Sequence, residues 1–190
     1  MESILPVKAF HSEKLLPAVS ELMESSGIMG YELSGIALSR GPGSYTGLRI
    51  GTATAMGLSA GWGVPVKGVS TLRVIASLLP AGNVLCCIRA RAGELFAGAF
   101  SSPDPLSAET LPQGLYAAEE LPAHLAGKVY TAAGSGRTEL PALDNIRWAS
   151  SLLDNPRPSA AAFCASALAA EEGFDSNPEP LYLRGFNEKI

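Results

Sequence analysis

One stretch, Arg40 to Gly51, limits the fold more than any other part of this 190-residue chain. It reads RGPGSYTGLRIG, and five of its twelve positions are glycine or proline. The run before it, residues 33–39, has the pattern of a strand, while Leu48 to Ala60 lacks proline and is rich in small residues that a helix tolerates. The stretch therefore predicts a strand, a glycine loop and a helix N-terminus, a unit of α/β folds.

Glycine loops before helices often bind phosphate, because backbone N–H groups and the helix dipole favour an anion. This loop departs from both common templates. A P-loop ends in Gly-Lys-Ser/Thr, whereas here Gly47 is followed by Leu48 and Arg49. The dinucleotide fingerprint is GxGxxG, whereas Gly41, Gly43 and Gly47 give GxGxxxG. Neither template therefore assigns a nucleotide to the loop.

Two interpretations of the loop stay open. In the first it is a tight turn whose glycines permit positive φ angles and close packing of the helix. The structural positions of this interpretation are Gly41, Pro42, Gly43, Gly47 and Gly51. In the second, Gly43 and Ser44 contact an anion at the helix N-terminus.

Composition excludes several classes of protein. With 47% apolar and 17% charged residues the chain is expected to be globular. No apolar run approaches the roughly 20 residues of a membrane span, and MESILPVKAF lacks the features of a secretory signal. We therefore expect a cytoplasmic protein without membrane contact. A net charge of −4 argues against unaided binding to nucleic acid, which depends on Lys and Arg neutralising phosphates.

The cysteines and histidines offer no metal site. Cys86, Cys87 and Cys164 fit neither a disulfide framework nor a zinc pattern, and they are expected to be buried free thiols. Adjacent Cys86 and Cys87 would point to opposite faces of a strand. His11 and His124, the only histidines, form no HxxxH pair. We predict no catalytic residues and no metal.

The remaining pattern gives a coarse order of elements. The predicted elements are a strand in residues 1–10, a helix capped by Ser12 and ended by Gly27, a strand at 64–69, a helix from Ser70 to Leu79, a hairpin of strands 84–90 and 94–100, a loop at 101–114, a helix at 117–126, a strand at 129–132, a turn at 134–136 and a helix at 159–172. Pro17 is expected near the first turn of its helix.

Several motifs resemble one family. GPGSYTGLRIG is similar to the GPGS(F/Y)TG(L/V)RIG signature of the bacterial TsaB (YeaZ) proteins, the non-catalytic paralogues of the TsaD ATPase in threonylcarbamoyladenosine modification of tRNA. Four weaker matches keep the family's order: HSEKLLPAV from His11, GVSTL from Gly68, ARAGELF from Ala90 and PLYLR from Pro180. Together the motifs span residues 11 to 184.

The resemblance implies a fold. It implies an actin-like (ASKHA, RNase H-like) α/β architecture with two lobes and mixed sheets. Residues 1–80 would form the N-terminal lobe with the glycine loop, residues 81–176 the second lobe, and residues 177–190 a segment returning toward the first. TsaB chains open with two strands that this sequence does not match, so the resemblance also implies an incomplete N-terminal sheet.

The resemblance further implies a function. The chain would be a non-catalytic scaffold and activator that dimerises with a TsaD-type ATPase, which transfers threonylcarbamoyl to adenosine in tRNA. A TsaE-type ATPase would take part indirectly, tRNA would be contacted only through the complex, and the chain alone would form a homodimer. It would bind no cofactor of its own, with ATP or ADP only at the partner interface.

In this family the first helix and the helix after the glycine loop pair with a partner. The implied interface residues are Leu15, Val19, Leu22, Met23, Tyr45, Thr46, Leu48, Arg49 and Thr52. Packing of these helices in the chain's own core is the alternative. Arg91 and Glu94 match the family's Arg-x-x-Glu, and Tyr182 and Arg184 its PLYLR motif, all as structural positions. Arg89 stands where the family has Asp.

Two other functions stay open. One is a nucleotide-binding, kinase-like hydrolase that uses the glycine loop. The other is a homodimeric regulatory protein that acts without a TsaD-type partner. Nucleotide binding by the isolated chain, or a dimer that needs no partner, would separate them from the implied function.

Overall fold

The structure is a computed structural model, and it describes residues 2–3, 11–125 and 127–183. Its first half holds α1 (His11–Ser26), β1 (Ile36–Gly41), α2 (Tyr45–Trp62), β2 (Val66–Ser70) and α3 (Thr71–Ala76). Then follow β3 (Val84–Arg91), β4 (Glu94–Phe100), β5 (Glu109–Ala117), α4 (Leu121–His124), β6 (Tyr130–Ala133), β7 (Ile146–Trp148) and α5 (Pro158–Glu172). Short 3-10 helices lie at Gly30–Glu32, Ser135–Thr138 and Ser151–Leu153.

Two sheets organise the described residues. In the first, β1 and β2 run parallel, with Leu38 opposite Gly68. The second has the strand order β5-β4-β3-β6-β7, antiparallel among β3, β4 and β5 and parallel among β3, β6 and β7. The described residues thus form an α/β protein with one parallel and one mixed sheet, as the resemblance implies.

The larger sheet separates two parts of the core. Cys87 belongs to the cluster that includes Leu95 and Leu121, whereas Cys86 packs with Leu72 and Phe100 on the other side. The predicted opposite orientation of the two thiols is therefore confirmed, and both are free and buried, as is Cys164. Burial raises the pKa of Cys87 to about 12 and that of Cys86 well above its ordinary value.

The strand-loop-helix unit around the glycine loop is confirmed. β1 leads through the loop to α2, and Ser44 caps the helix by accepting a hydrogen bond from the Gly47 N–H group at 3.3 Å. The hairpin of β3 and β4, the cap of α3 by Ser70 and the helix α5 are confirmed as well. Gly27 follows the end of α1 with φ of 67°.

Three predicted helices are wrong in extent, and one strand was not predicted. α1 starts at His11, before Ser12, and places Pro17 in its second turn, where the proline removes one helical hydrogen bond. α3 ends at Ala76, because the next residues form i→i+3 turns ahead of Pro80. The helix predicted at 117–126 is only α4, and β7 was not predicted because three residues carry too little pattern.

The predicted loop at 101–114 is confirmed for residues 101–108 and wrong for residues 109–114, because β5 begins at Glu109. β5 is an edge strand, and its pairing shifts register between the Ala97–Gly114 and Ala99–Leu111 pairs. Pro112 lies in this shift, at a position where an edge strand tolerates a missing N–H group. The strand predicted for residues 1–10 lies outside the described residues, except for residues 2–3, which are not in a strand.

Candidate partner surface

At Gly41 the glycine loop is packed against other parts of the chain and does not border an open space for a ligand. Gly41 ends β1 with φ of 118°, and a Cβ atom there would lie 2.7 Å from the Leu181 carbonyl oxygen and 2.9 Å from Leu48 Cδ1. Pro42, joined to Gly41 by a cis peptide, is buried. Gly41 is therefore required because the backbone of residue 181 and the side chain of Leu48 approach it on both sides.

The structure requires glycine less strictly at Gly43 and Gly47. Gly43 is exposed and has no positive φ, and a Cβ atom added to it would meet no other atom within 4 Å. A Cβ at Gly47 would make an ordinary 3.5 Å contact with Ser44. The Ser44 hydroxyl already accepts from one N–H group at the helix start, so an anion at Gly43 and Ser44 would have to share that end of the helix with it.

An aromatic and cationic cluster covers the first turns of α2. The Arg49 Nη1 group donates to the Tyr45 hydroxyl at 3.0 Å, and the Arg49 guanidinium carbon lies 5.6 Å from the centre of the Tyr45 ring. The Tyr182 ring lies 5.4 Å from that of Tyr45, tilted by 34°. Tyr45, Arg49 and Tyr182 are all exposed, so the cluster presents a polar-edged aromatic surface to its surroundings.

An apolar groove of about 610 Å³ lies between α1 and the C-terminal end of α2. Its walls are the last turns of α1 and α2 and the turn between α1 and β1. The residues that line it are Leu16, Val19, Ser20, Met23, Glu24, Gly27, Ile28, Met29, Gly30, Leu58 and Trp62. Gly30 packs directly on the Trp62 indole, since a Cβ there would lie 2.3 Å from the ring. We call this groove and the Tyr45 cluster together the helical face.

The structure brings four of the nine predicted interface residues, Val19, Met23, Tyr45 and Arg49, to the helical face. Val19 and Met23 line the groove; Leu15 and Leu22 are partly buried on α1; Tyr45, Thr46 and Arg49 are exposed on α2. Leu48 is partly buried against Gly41. Thr52, at 8% exposure, lies beneath the surface, so the chain as folded does not present it to a partner.

Sequence reasoning left out several groove residues. Ile28 and Met29, and Tyr31 beside them in sequence, are exposed apolar or aromatic side chains in the turn after α1. Large apolar residues between Gly27 and Gly30, in a segment that the glycines mark as a turn, were the available signal. Leu58 and Trp62 fall on the last turns of a helix whose small residues obscure its faces.

The second lobe shows ion pairs at the positions that the motifs marked. Arg91 pairs with Glu94 across the β3–β4 turn, and Arg89 Nε lies 2.9 Å from Glu139 Oε1. Such exposed pairs are structural and weak. Arg184 lies outside the described residues. Within the described ranges, no group of three or more His, Cys, Asp or Glu side chains is placed to hold a metal ion.

The part of the chain that the structure describes contains no helix long and apolar enough to span a bilayer.

The family model for TsaD, tRNA N6-adenosine threonylcarbamoyltransferase, matches residues 4–109, more than half of the chain. The chain is similar to the tRNA threonylcarbamoyladenosine biosynthesis protein TsaB of Escherichia coli, at 40% identity over 90 residues. That alignment covers 45% of this chain and 39% of the relative.

TsaB of Bacillus subtilis is 32% identical over 113 residues, which are 58% of this chain and 49% of the relative. These alignments thus span less than half the length of either relative. The solved structure of YeaZ from Pseudomonas aeruginosa superposes with a TM-score of 0.80 at 24% identity, covering 95% of this chain and 87% of that one. The fold is therefore actin-like. The chain belongs to the TsaB (YeaZ) family within the group that the transferase model describes.

Proposed function

We propose that the chain is a non-catalytic scaffold and activator that pairs through its helical face with a TsaD-type ATPase. In that complex the partner transfers threonylcarbamoyl to an adenosine of tRNA. The observation that carries the proposal is the helical face itself. α1 has no buried side chain among residues 13–26, and α2 buries only Thr52 and Ala55, so within the described ranges these two helices leave most of their side chains uncovered.

The family match supports a TsaD-type subunit as the occupant of this face. The segment that matches, residues 4–109, contains α1 and α2 and is described by the model of the transferase itself. A partner built on the same plan presents an equivalent pair of helices. Two equivalent faces can pair around a two-fold axis, because each supplies the surface that the other requires. By the same reasoning the chain alone would pair with a second copy.

The chemistry of the face suits such pairing. The groove offers Val19, Met23 and Trp62 for apolar burial, while Tyr45 and Arg49 supply aromatic and guanidinium groups, the types enriched at energetically important contacts.

The negative net charge of the chain supports a complex in which the partner, rather than this chain, makes most contacts with tRNA. With 18 acidic and 14 basic side chains, the chain repels phosphates overall. We therefore propose that tRNA contacts come mainly from the other subunits, with a TsaE-type ATPase involved indirectly and ATP or ADP held only at the junction with the partner. Modification of tRNA would place the chain in the cytoplasm.

The test is co-purification of the chain with a TsaD-type subunit. The variant Val19→Asp with Arg49→Glu puts a charge into the groove and reverses one in the cluster, and we expect it to abolish the complex without lowering the stability of the chain. The matched control makes the same changes on the second lobe, Val129→Asp with Arg147→Glu, where both side chains are exposed. A complex that survives the first variant, or that the control removes equally, would contradict the proposal.

The alternative functions give different results in the same preparation. ATP binding to the isolated chain, measured by calorimetry and lost in Gly43→Val, would favour a nucleotide-binding enzyme. A dimer that persists in the presence of excess TsaD-type subunit would favour a homodimeric regulatory protein. We expect neither result.

A further inference from the structure

The segment after α5, residues 173–183, runs from one end of the first sheet to the other. The Asp175 N–H group donates to the Val66 carbonyl oxygen at 2.9 Å, at the start of β2. The Leu181 N–H group donates to the Arg40 carbonyl oxygen at 2.6 Å, at the end of β1. We call residues 173–183 the strap, because they tie α5 to the glycine loop.

One end of the strap is fixed by a buried lysine. Lys67 is 4% exposed, and its Nζ atom lies 2.9 Å from Glu172 Oε2 and 3.3 Å from Asp175 Oδ1. The same amine donates to the Gly173 carbonyl oxygen at 2.9 Å. Asp175 Oδ2 also accepts from the Gly68 N–H group at 2.7 Å. Asp175 therefore holds the strap through charge and through the backbone of β2.

The other end of the strap reaches the helical face. The Leu181 carbonyl oxygen lies against Gly41 so closely that no Cβ fits between them. The next residue, Tyr182, places its ring on Tyr45, and Leu183 packs against the core cluster that includes Leu72 and Phe100. The strap thus contacts the loop, the first turn of α2 and the core in three successive residues.

The described residues of the strap form little regular structure, although Phe174 lies against Gly35. Apart from the bridge between Asp175 and Val66, it has no helix or strand in its described residues. Its middle, residues 176–179, is exposed except for Pro178. A segment with few hydrogen bonds and few buried contacts opens locally at much lower free energy than the whole fold. The strap can therefore detach while both sheets stay intact.

We propose that the strap orders the glycine loop and completes the helical face, with Tyr182 as part of the surface that a partner contacts. Closing the strap sets Tyr45, and through it Arg49, in the arrangement that the structure shows. Opening it removes Tyr182 from the face and frees Gly41 and Leu48. The ordering of the loop stands without the proposed function; the effect on partner affinity rests on it.

Hydrogen exchange on the isolated chain tests the ordering. In Asp175→Ala, which removes the ion pair and the Gly68 hydrogen bond, we expect amides of residues 40–49 to exchange about tenfold faster, with residues 84–100 unchanged. The control Glu172→Gln changes a lysine partner that is 61% exposed and should leave residues 40–49 near the wild-type rate. Unchanged exchange in residues 40–49 of Asp175→Ala would overturn the proposal.

Affinity for a TsaD-type subunit tests the completed face. Removing one ring of an aromatic pair, in Tyr182→Ala, is expected to weaken binding about tenfold. Tyr182→Phe keeps the ring and should bind like the wild type. Equal affinity of the Ala variant and the wild type would overturn the role of Tyr182. Failure of the wild-type chain to bind at all contradicts the proposed function instead, and leaves the exchange result to decide on the strap.

Discussion

The two sheets of this molecule differ in how they are supported. The five-stranded sheet is covered on both sides by fully buried side chains, among them Leu85, Leu95 and Phe100. The β1–β2 sheet has two strands among the described residues, and its helices α1 and α2 bury little. The five-stranded sheet is therefore packed on both sides, one of them by α3 of the first lobe, whereas α1 and α2 leave most of their side chains uncovered.

This difference favours the first lobe as the place where a partner would bind. Around the first sheet lie α5 on one side, the strap, which runs from one end of the sheet to the other, and a helical face that the described residues leave open. Surfaces that bind partners are often drawn from such marginal regions, because burial there is completed on association.

Matched leucine truncations should separate the lobes most clearly. Leu95→Ala removes a fully buried side chain of the second lobe and is expected to lower the free energy of unfolding by about 2–5 kcal/mol. Leu22→Ala removes a partly exposed side chain of α1 and should cost about 1 kcal/mol or less. Urea unfolding of the isolated chain measures both, and equal losses would contradict the comparison.

In the glycine loop, an alanine substitution should destabilise the fold at Gly41 but not at Gly43. Gly41→Ala combines a φ of 118° with the 2.7 Å approach of the Leu181 carbonyl oxygen, so we expect it to cost about 2–3 kcal/mol. Gly43→Ala meets open space at ordinary φ and should stay within about 0.5 kcal/mol of wild type. Thermal or urea unfolding checks the pair, and a costly Gly43→Ala would show that the loop has another constraint.

Lys67 should contribute to the free energy of unfolding, and this contribution should shrink at high pH. Burial lowers the pKa of its amine, but hydrogen bonds and charges from Glu172 and Asp175 outweigh burial, so the pKa is raised overall. The stabilisation is therefore complete below the unfolded pKa of about 10.4 and is lost as pH rises through the higher folded pKa. We expect the stability difference between wild type and Lys67→Met, about 1 kcal/mol at pH 8, to shrink by pH 11. A difference that stays constant in urea titrations at both pH values would contradict this.

The ion pair of the β3–β4 hairpin should have the smallest effect on the free energy of unfolding. Arg91 and Glu94 are both partly exposed, so Glu94→Gln is expected to change the free energy of unfolding by about 0.5 kcal/mol or less. Urea unfolding at low and high salt measures it, and a loss above about 1 kcal/mol would mean that the pair does more than close the turn.

Local pattern predicted the features that depend on neighbours in sequence. The strand, loop and helix around Gly41, the β3–β4 hairpin and the opposed Cys86 and Cys87 all follow from short-range geometry. β5 was missed because Pro112 and its neighbours look like a loop, and only pairing with β4 makes them a strand. In these cases tertiary contacts override local preference.

The candidate site was predicted in outline only. α2 has small residues on all sides, so its sequence has little amphipathic contrast, and Thr52 was placed on the wrong side. The strap could not be predicted, because Lys67 and Glu172 are 105 residues apart and no periodicity links them. The resemblance to TsaB marked Tyr182, but its contact with Tyr45 depends on the folded chain.

Hydrogen exchange of the chain with and without an excess of a TsaD-type subunit tests the central claim most directly. We expect new protection in residues 13–26 and 45–62, and in the strap around Tyr182, with no change in residues 84–100. Protection confined to the second lobe, or a complex that leaves α1 and α2 unprotected, would contradict the claim that the open helical face of the first lobe binds the partner.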